Sequence, residues 1–130
     1  MDISNYIEQI EEIELELDEE AQVGIGYGDE DDLEKELNFL KDVQYLVEER
    51  HYAVNAIQAW LDLGHEKFDD FEEAYQGKWY DDEEFVEQLC IGCGDVPDNL
   101  PSYIYIDWGR TAGDIMMDYE VENSYYFRIL

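Results

Sequence analysis

Ile3, Tyr6, Ile7, Ile10, Ile13 and Leu17 recur at the three- and four-residue spacing of a helix, with Glu8, Glu11, Glu12 and Glu16 between them. This predicts an amphipathic helix at the start of the chain. Residues 12–18 also alternate strictly, as a strand would, and the Glu-rich composition weighs toward helix. The run VGIGYG at 23–28 reads as a loop or short strand. Acids at 29–32 then suit the positive end of a helix dipole. Leu33, Leu37, Leu40, Tyr45 and Leu46 mark the buried side of that helix to about Glu49. A further helix is expected over 51–63, with Val54, Ile57, Trp60 and Leu61 inward and Gly64 ending it.

The second half is patterned in shorter pieces. Phe68, Phe71 and Tyr75 predict a short helix closed by Gly77. Asp81 and Glu84 have the spacing of a capping box, with Asp in place of Ser or Thr, before Phe85 and Leu89. Residues 92–101 read as a loop, with Pro101 suited to a helix first turn. Leu100, Ile104, Trp108, Thr111 and Ile115 are spaced for a helix, with a break at Asp107. Tyr119 and Val121 alternate with acids, Asn123-Ser124 can turn, and Tyr125, Phe127 and Ile129 alternate again, which is a hairpin signal. The expected fold is α+β and mostly helical. An acidic helical region (1–64) precedes a small C-terminal α/β domain (65–130) with a short antiparallel hairpin.

Charge changes this picture most. Thirty-six acids oppose seven bases, a formal net charge of -29 over 130 residues, yet 45% of the chain is hydrophobic and 15% aromatic. Chains this acidic usually lack the apolar surface to fold; this one has it. Residues 1–50 hold 18 acids and 3 bases, and residues 51–130 hold 18 and 4, so the charge coats the whole chain rather than a tail. B-DNA carries one charge per about 1.7 Å, so the net charge equals that of roughly 50 Å of duplex, about 15 base pairs. Membrane surfaces and nucleic acid, both negative, are poor partners. No apolar run approaches a membrane span, the N-terminus lacks a signal-peptide pattern, and two cysteines are too few for a disulfide framework. These features read as a cytosolic protein.

Motifs for chemistry are weak. Cys90-Ile-Gly-Cys93 lacks a second ligand pair for zinc and falls at the wrong end of its helix for a reactive thiolate. Gly24, Gly26 and Gly28 are followed by acids and no Lys, which would repel phosphate. EF-hand spacing fails from Asp29 and from Asp81, where position five is Leu33 or Phe85. No nucleophile elbow or Ser-His-Asp order is present. The chain reads as a non-enzyme with no implied cofactor, metal or catalytic residue.

A set of aromatics in fixed order carries a resemblance. Phe71-Glu-Glu-Ala-Tyr-Gln-Gly77 with Trp79, the acids 81–84 leading into Phe85, then Leu100-Pro101, Tyr105-Ile-Asp-Trp108 with Arg110, Ala112 and Asp114, and Tyr126-Phe-Arg128 resemble the ArdA antirestriction family. The match covers about half of the chain, mainly 71–130. The resemblance implies a DNA mimic, carried by a phage or other mobile element, that occupies the DNA-binding groove of type I restriction-modification enzymes in the host bacterial cytoplasm. It also implies a homodimer joined through the C-terminal domains. The family's N-terminal sheet domain is absent or replaced by residues 1–28, Gly109 and Gly113 stand where charged residues are expected, and the cysteine pair is not a family feature. A shortened mimic leaves other targets open, such as a CRISPR effector, as does a role as acidic adaptor or chaperone for a basic DNA-binding protein.

Carboxylates spaced like phosphates compete for a Lys- and Arg-lined groove through a summed field. The candidate mimic acids are Asp69, Asp70, Glu72, Glu73, Asp81, Asp82, Glu83, Glu84 and Glu87, with Asp29, Asp31, Asp32, Glu34 and Glu36 in the preceding helix. Trp79, Phe85, Tyr103, Trp108, Ile115, Tyr126 and Phe127 are candidates for the core or a dimer seam.

Overall fold

The computed structural model describes residues 2–23 and 30–130, with side chains placed for 2–19 and 31–130. Asp29 and the glycine-rich run 24–28 lie outside the described residues. The chain divides into two compact units, Met1–Asp62 and Leu63–Leu130. Its architecture is α+β and mostly helical, with a small antiparallel sheet near the C-terminus.

The first unit is helical. Helix α1 (Tyr6–Val23) packs against α2 (Glu30–Gln44), which runs into a π-turn over Tyr45–Glu49; α3 (Val54–Asp62) follows. Ile3, Tyr6, Ile10 and Ile13 form a buried stripe, while Leu15 is 63% exposed. That decides the helix-or-strand question at 12–18, because a strand would bury Leu15 beside Ile13. The α2 stripe continues through Leu40, Val43 and Leu46, and α3 contributes Ala56, Ile57, Ala59 and Trp60. The backbone N–H of Ile3 donates to Gln58 Oε1 at 2.8 Å, tying the chain start to α3.

Two details differ from the spacing argument. Tyr45, expected inward, is 53% exposed, whereas Val43 is fully buried. Position 43 follows Leu40 by three residues, on one helical face; 45 follows by five and turns outward. Helix α3 begins at Val54 rather than at 51, since His51 adopts a left-handed φ of 62°. Arg50 N donates to Tyr45 O and Tyr52 N to Leu46 O, closing the preceding helix before the next starts.

The second unit builds a sheet of order β1-β3-β2 from β1 (Tyr75–Lys78), β2 (Tyr119–Glu122) and β3 (Tyr125–Arg128), all antiparallel. A single turn, α4 (Phe71–Ala74), precedes β1; α5 (Asp82–Gly92) and α6 (Trp108–Ile115) lie between β1 and β2. Asn123 and Ser124, at φ 51° and 68°, form the two-residue hairpin turn between β2 and β3. Central strand β3 buries both faces. Phe127 meets Phe71 and Tyr75 at ring separations of 6.0 and 5.6 Å, while Tyr126, one residue earlier and facing the other way, meets Phe85 at 4.8 Å. Phe85 also receives Trp79 at 5.7 Å and Tyr119 at 5.0 Å.

The expected helix at 68–77 is corrected here: only 71–74 is helical, and 75–78 is an edge strand. Gly77 adopts φ +100° beside a bulge at Tyr75/Gly77, so it shapes a strand instead of closing a helix. The expected helix at 100–115 starts only at Trp108. Asp107 caps it through Arg110 N at 3.0 Å, and the residues before it turn around Pro97 and Pro101, whose carbonyls accept from Leu100 N and Ile104 N.

Candidate functional site

The four consecutive acids at 81–84 open α5, and three of the four carboxylates accept a hydrogen bond. Asp81 is the N-cap and accepts from Glu84 N at 2.8 Å. Glu84 Oε2 reaches back to accept from Tyr80 N at 2.9 Å. This is the reciprocal exchange of a capping box, displaced by one residue because the returned bond goes to Tyr80 rather than to the cap itself. Asp82 Oδ1 accepts from the hydroxyl of core residue Tyr126 at 2.6 Å. Glu83 lies over α6: a Cβ placed on Gly109 would sit 3.0 Å from Glu83 Oε1 and 3.6 Å from Asp107 Oδ1. Glycine at 109, where the family resemblance leads one to expect charge, therefore leaves room for the carboxylate of a neighbouring helix.

All four acids are exposed. The helix dipole and the free N–H groups of the first turn favour negative charge at this end of α5. The arrangement is a short row of solvent-facing carboxylates, three of them held by the cap exchange and a core hydroxyl and the fourth bordered by α6. Local fixation matters for charge display, because a floppy carboxylate must lose rotamer entropy whenever a partner engages it.

The remaining acids are held less closely. Asp69, Asp70 and Glu73 are exposed around α4, and Glu72 is half-buried. Asp70 caps α4 through its carbonyl, which accepts from Ala74 N at 2.9 Å, without a side-chain cap bond. On α2, Asp31, Asp32, Glu34 and Glu36 are exposed, whereas Leu40 and Val43 are buried. Glu87, one turn beyond the row on α5, is half-buried against apolar neighbours. Pairing leaves most of this charge standing. Lys41 Nζ lies 3.7 Å from Glu14 and His65 Nε2 lies 2.8 Å from Glu120. Even if each of the seven bases took one acid, 36 − 7 = 29 carboxylates would stay unneutralised.

Among the aromatic candidates, Phe85, Tyr126 and Phe127 are core residues, and Trp79, Trp108 and Ile115 pack half-buried against the α5 cluster. Tyr103 is 76% exposed. Burial, then the hydrogen bond to Asp82 and the charges of Asp82, Asp81 and Glu84, push the Tyr126 hydroxyl far above its ordinary value. Cys90 is buried in the same cluster and its thiol is pushed up, first by burial and then by Asp95 and Cys93; Cys93 caps the C-terminus of α5. A thiolate is disfavoured there. Among the described residues, no group of three or more His, Cys, Asp and Glu side chains is placed to hold a metal ion, and no helix is long and apolar enough to cross a membrane.

Sequence reasoning found the acids and the cap. It missed the Asp82–Tyr126 and Glu83–Gly109 relations, because both join positions far apart in the chain. Compared with known proteins, the chain matches no family model, no curated protein and no solved structure. The resemblance to the antirestriction family rests on the residues quoted above.

Proposed function

We propose that this protein is a DNA-mimic inhibitor that occupies the DNA-binding groove of a type I restriction-modification enzyme. The observation that carries the reading is the row of exposed acids at 81–84, each carboxylate with a neighbour that fixes or borders it. The net charge of -29 supplies the field around it. A groove built for phosphates gains affinity by neutralising anions, and anions already in place displace DNA at low ordering cost. An acidic chaperone has no need of fixed carboxylates, since unstructured charge serves it as well.

The proposal includes a homodimer joined through the C-terminal part of 100–130, beyond α6, where Met117, Val121 and Ile129 are exposed. Two copies would double the mimicked length.

The test is a gel shift with a type I enzyme bound to labelled duplex. Added protein should release the DNA without retarding it. Joint replacement of Asp81, Asp82, Glu83 and Glu84 by their amides should abolish release, while any one replacement leaves it nearly intact, since exposed charge pairs contribute about 0.2–1 kcal/mol each. Retardation of duplex by the protein alone would end the reading.

A further inference from the structure

Further along α5 than the acid row, a cleft of about 380 Å³ lies between α5, the 93–107 loop and α6. Ile91, Leu100, Ile104, Tyr105 and Trp108 line it, with Glu87 on the wall. It stays open to solvent: Ile91 is 48%, Ile104 46% and Tyr105 88% exposed. Apolar side chains left open beside such a charged surface mark a contact site.

The charge around the cleft limits what fills it. Glu87 is the one charged residue in its lining; Asp95, Asp98 and Asp107 stand in the same 87–108 segment, which holds no Lys, Arg or His, and Arg110 follows two residues beyond it. An acidic or neutral apolar segment would leave these charges uncompensated as it covered them. A second copy of this chain would bring another -29 toward the same rim. A cationic segment satisfies both features, with an apolar side chain in the cleft and Lys or Arg on the rim.

We infer that the cleft is an anchor pocket for one aliphatic or aromatic side chain of the partner protein, flanked there by Lys or Arg. The inference rests on the reading that the partner is basic, and adds that recognition is not charge alone. The field attracts any cationic groove; the cleft selects those that carry an anchor. Interfaces concentrate affinity in such desolvated apolar contacts ringed by polar groups.

Three short fluorescein-labelled peptides test this by fluorescence anisotropy. One has a Phe between Arg and Lys pairs, one has Ser in place of Phe, and one keeps Phe with Gln in place of the bases. The Phe–cation peptide should bind about tenfold or more tightly than its Ser counterpart, and the Gln peptide weakest of the three. Ile104→Ser and Tyr105→Ser, both at exposed positions, should erase the preference for Phe and leave Ser-peptide affinity unchanged. Glu87→Gln should weaken both cationic peptides and keep the preference. Equal affinity for the Phe and Ser peptides would overturn the anchor while sparing the basic-partner reading. Failure of both cationic peptides to bind at low salt would overturn both. A Phe preference that survives Ile104→Ser and Tyr105→Ser would place the anchor elsewhere. A dimer that Ile104→Ser dissociates on light scattering would show a second copy in the cleft and overturn the assignment.

Discussion

Asp82 faces solvent yet holds a core residue, so the acid row is joined to the fold through its second member. Tyr126 is 2% exposed, and its hydroxyl donates to Asp82 across 44 residues of sequence. Asp82→Ala strands that hydroxyl, and leaving a buried donor unpaired costs about 1–3 kcal/mol. Tyr126→Phe removes both the donor and its need, so the double variant should be little worse than Asp82→Ala alone. A chemical-denaturation cycle with a coupling near zero would remove the bond from the account. Asp82→Asn keeps an acceptor oxygen and should retain most of the stability. The same bond sets an alkaline limit. Below the ordinary tyrosine value of 10.0 both folded and unfolded states hold the proton, and the contribution is complete. As pH climbs past that value the unfolded state loses its proton first, so stability falls with pH. Tyr126→Phe should lose less stability than wild type between about pH 9 and about pH 11.

At the scale of elements, two glycines give opposite expectations. Gly77 sits in β1 at φ +100°, with Trp79 Nε1 only 3.4 Å from where a Cβ would be, and that indole N–H donates to Gln76 O. Gly77→Ala forces a side chain into a region L-residues avoid, at a cost of about 1–3 kcal/mol. Gly113 lies inside α6 with nothing within 4 Å of its Cβ position. Gly113→Ala should therefore stabilise by about 0.5–1 kcal/mol. Melting temperatures that move in the same direction would refute the pair. The same contrast explains what was legible in the sequence. Helix α1, the Asp81 cap and the β2–β3 hairpin each carry their signal locally, as periodicity, as a spaced acid pair or as a two-residue turn. Strand β1 carries none: Tyr-Gln-Gly-Lys does not alternate, and it is a strand because β3 pairs with it. The start of α6 was hidden for a related reason. Ile104 and Trp108 keep helical spacing across residues that turn around proline and face a cleft, and apolar spacing alone does not separate cleft lining from helix face. The acid row was legible as composition; the residues beside it, Tyr126 and Gly109, lie in other elements.

The whole molecule carries net charge that opposes its own compaction and, on the proposed reading, drives its binding. Both effects are Coulombic, and salt screens both over a Debye length of about 10 Å at 0.1 M. Their signs differ. Within the protein, like charges repel, so screening stabilises the fold; toward a basic groove, opposite charges attract, so screening weakens the complex. Raising sodium chloride from about 0.05 to about 0.5 M should thus increase the Tm while reducing displacement of DNA from the target. Potassium chloride should act alike, because no specific site is invoked. Lowering the pH toward the isoelectric point near 4.1 removes repulsion as salt does, but also discharges the carboxylates that bind. Inhibition should then fall before the fold does. Thermal melts and gel shifts over one salt series check both slopes together. If added salt lowered the Tm, self-repulsion would not limit this fold. If DNA displacement were indifferent to salt, the carboxylate array would not be what binds, and the anchor cleft would have to carry the affinity by itself.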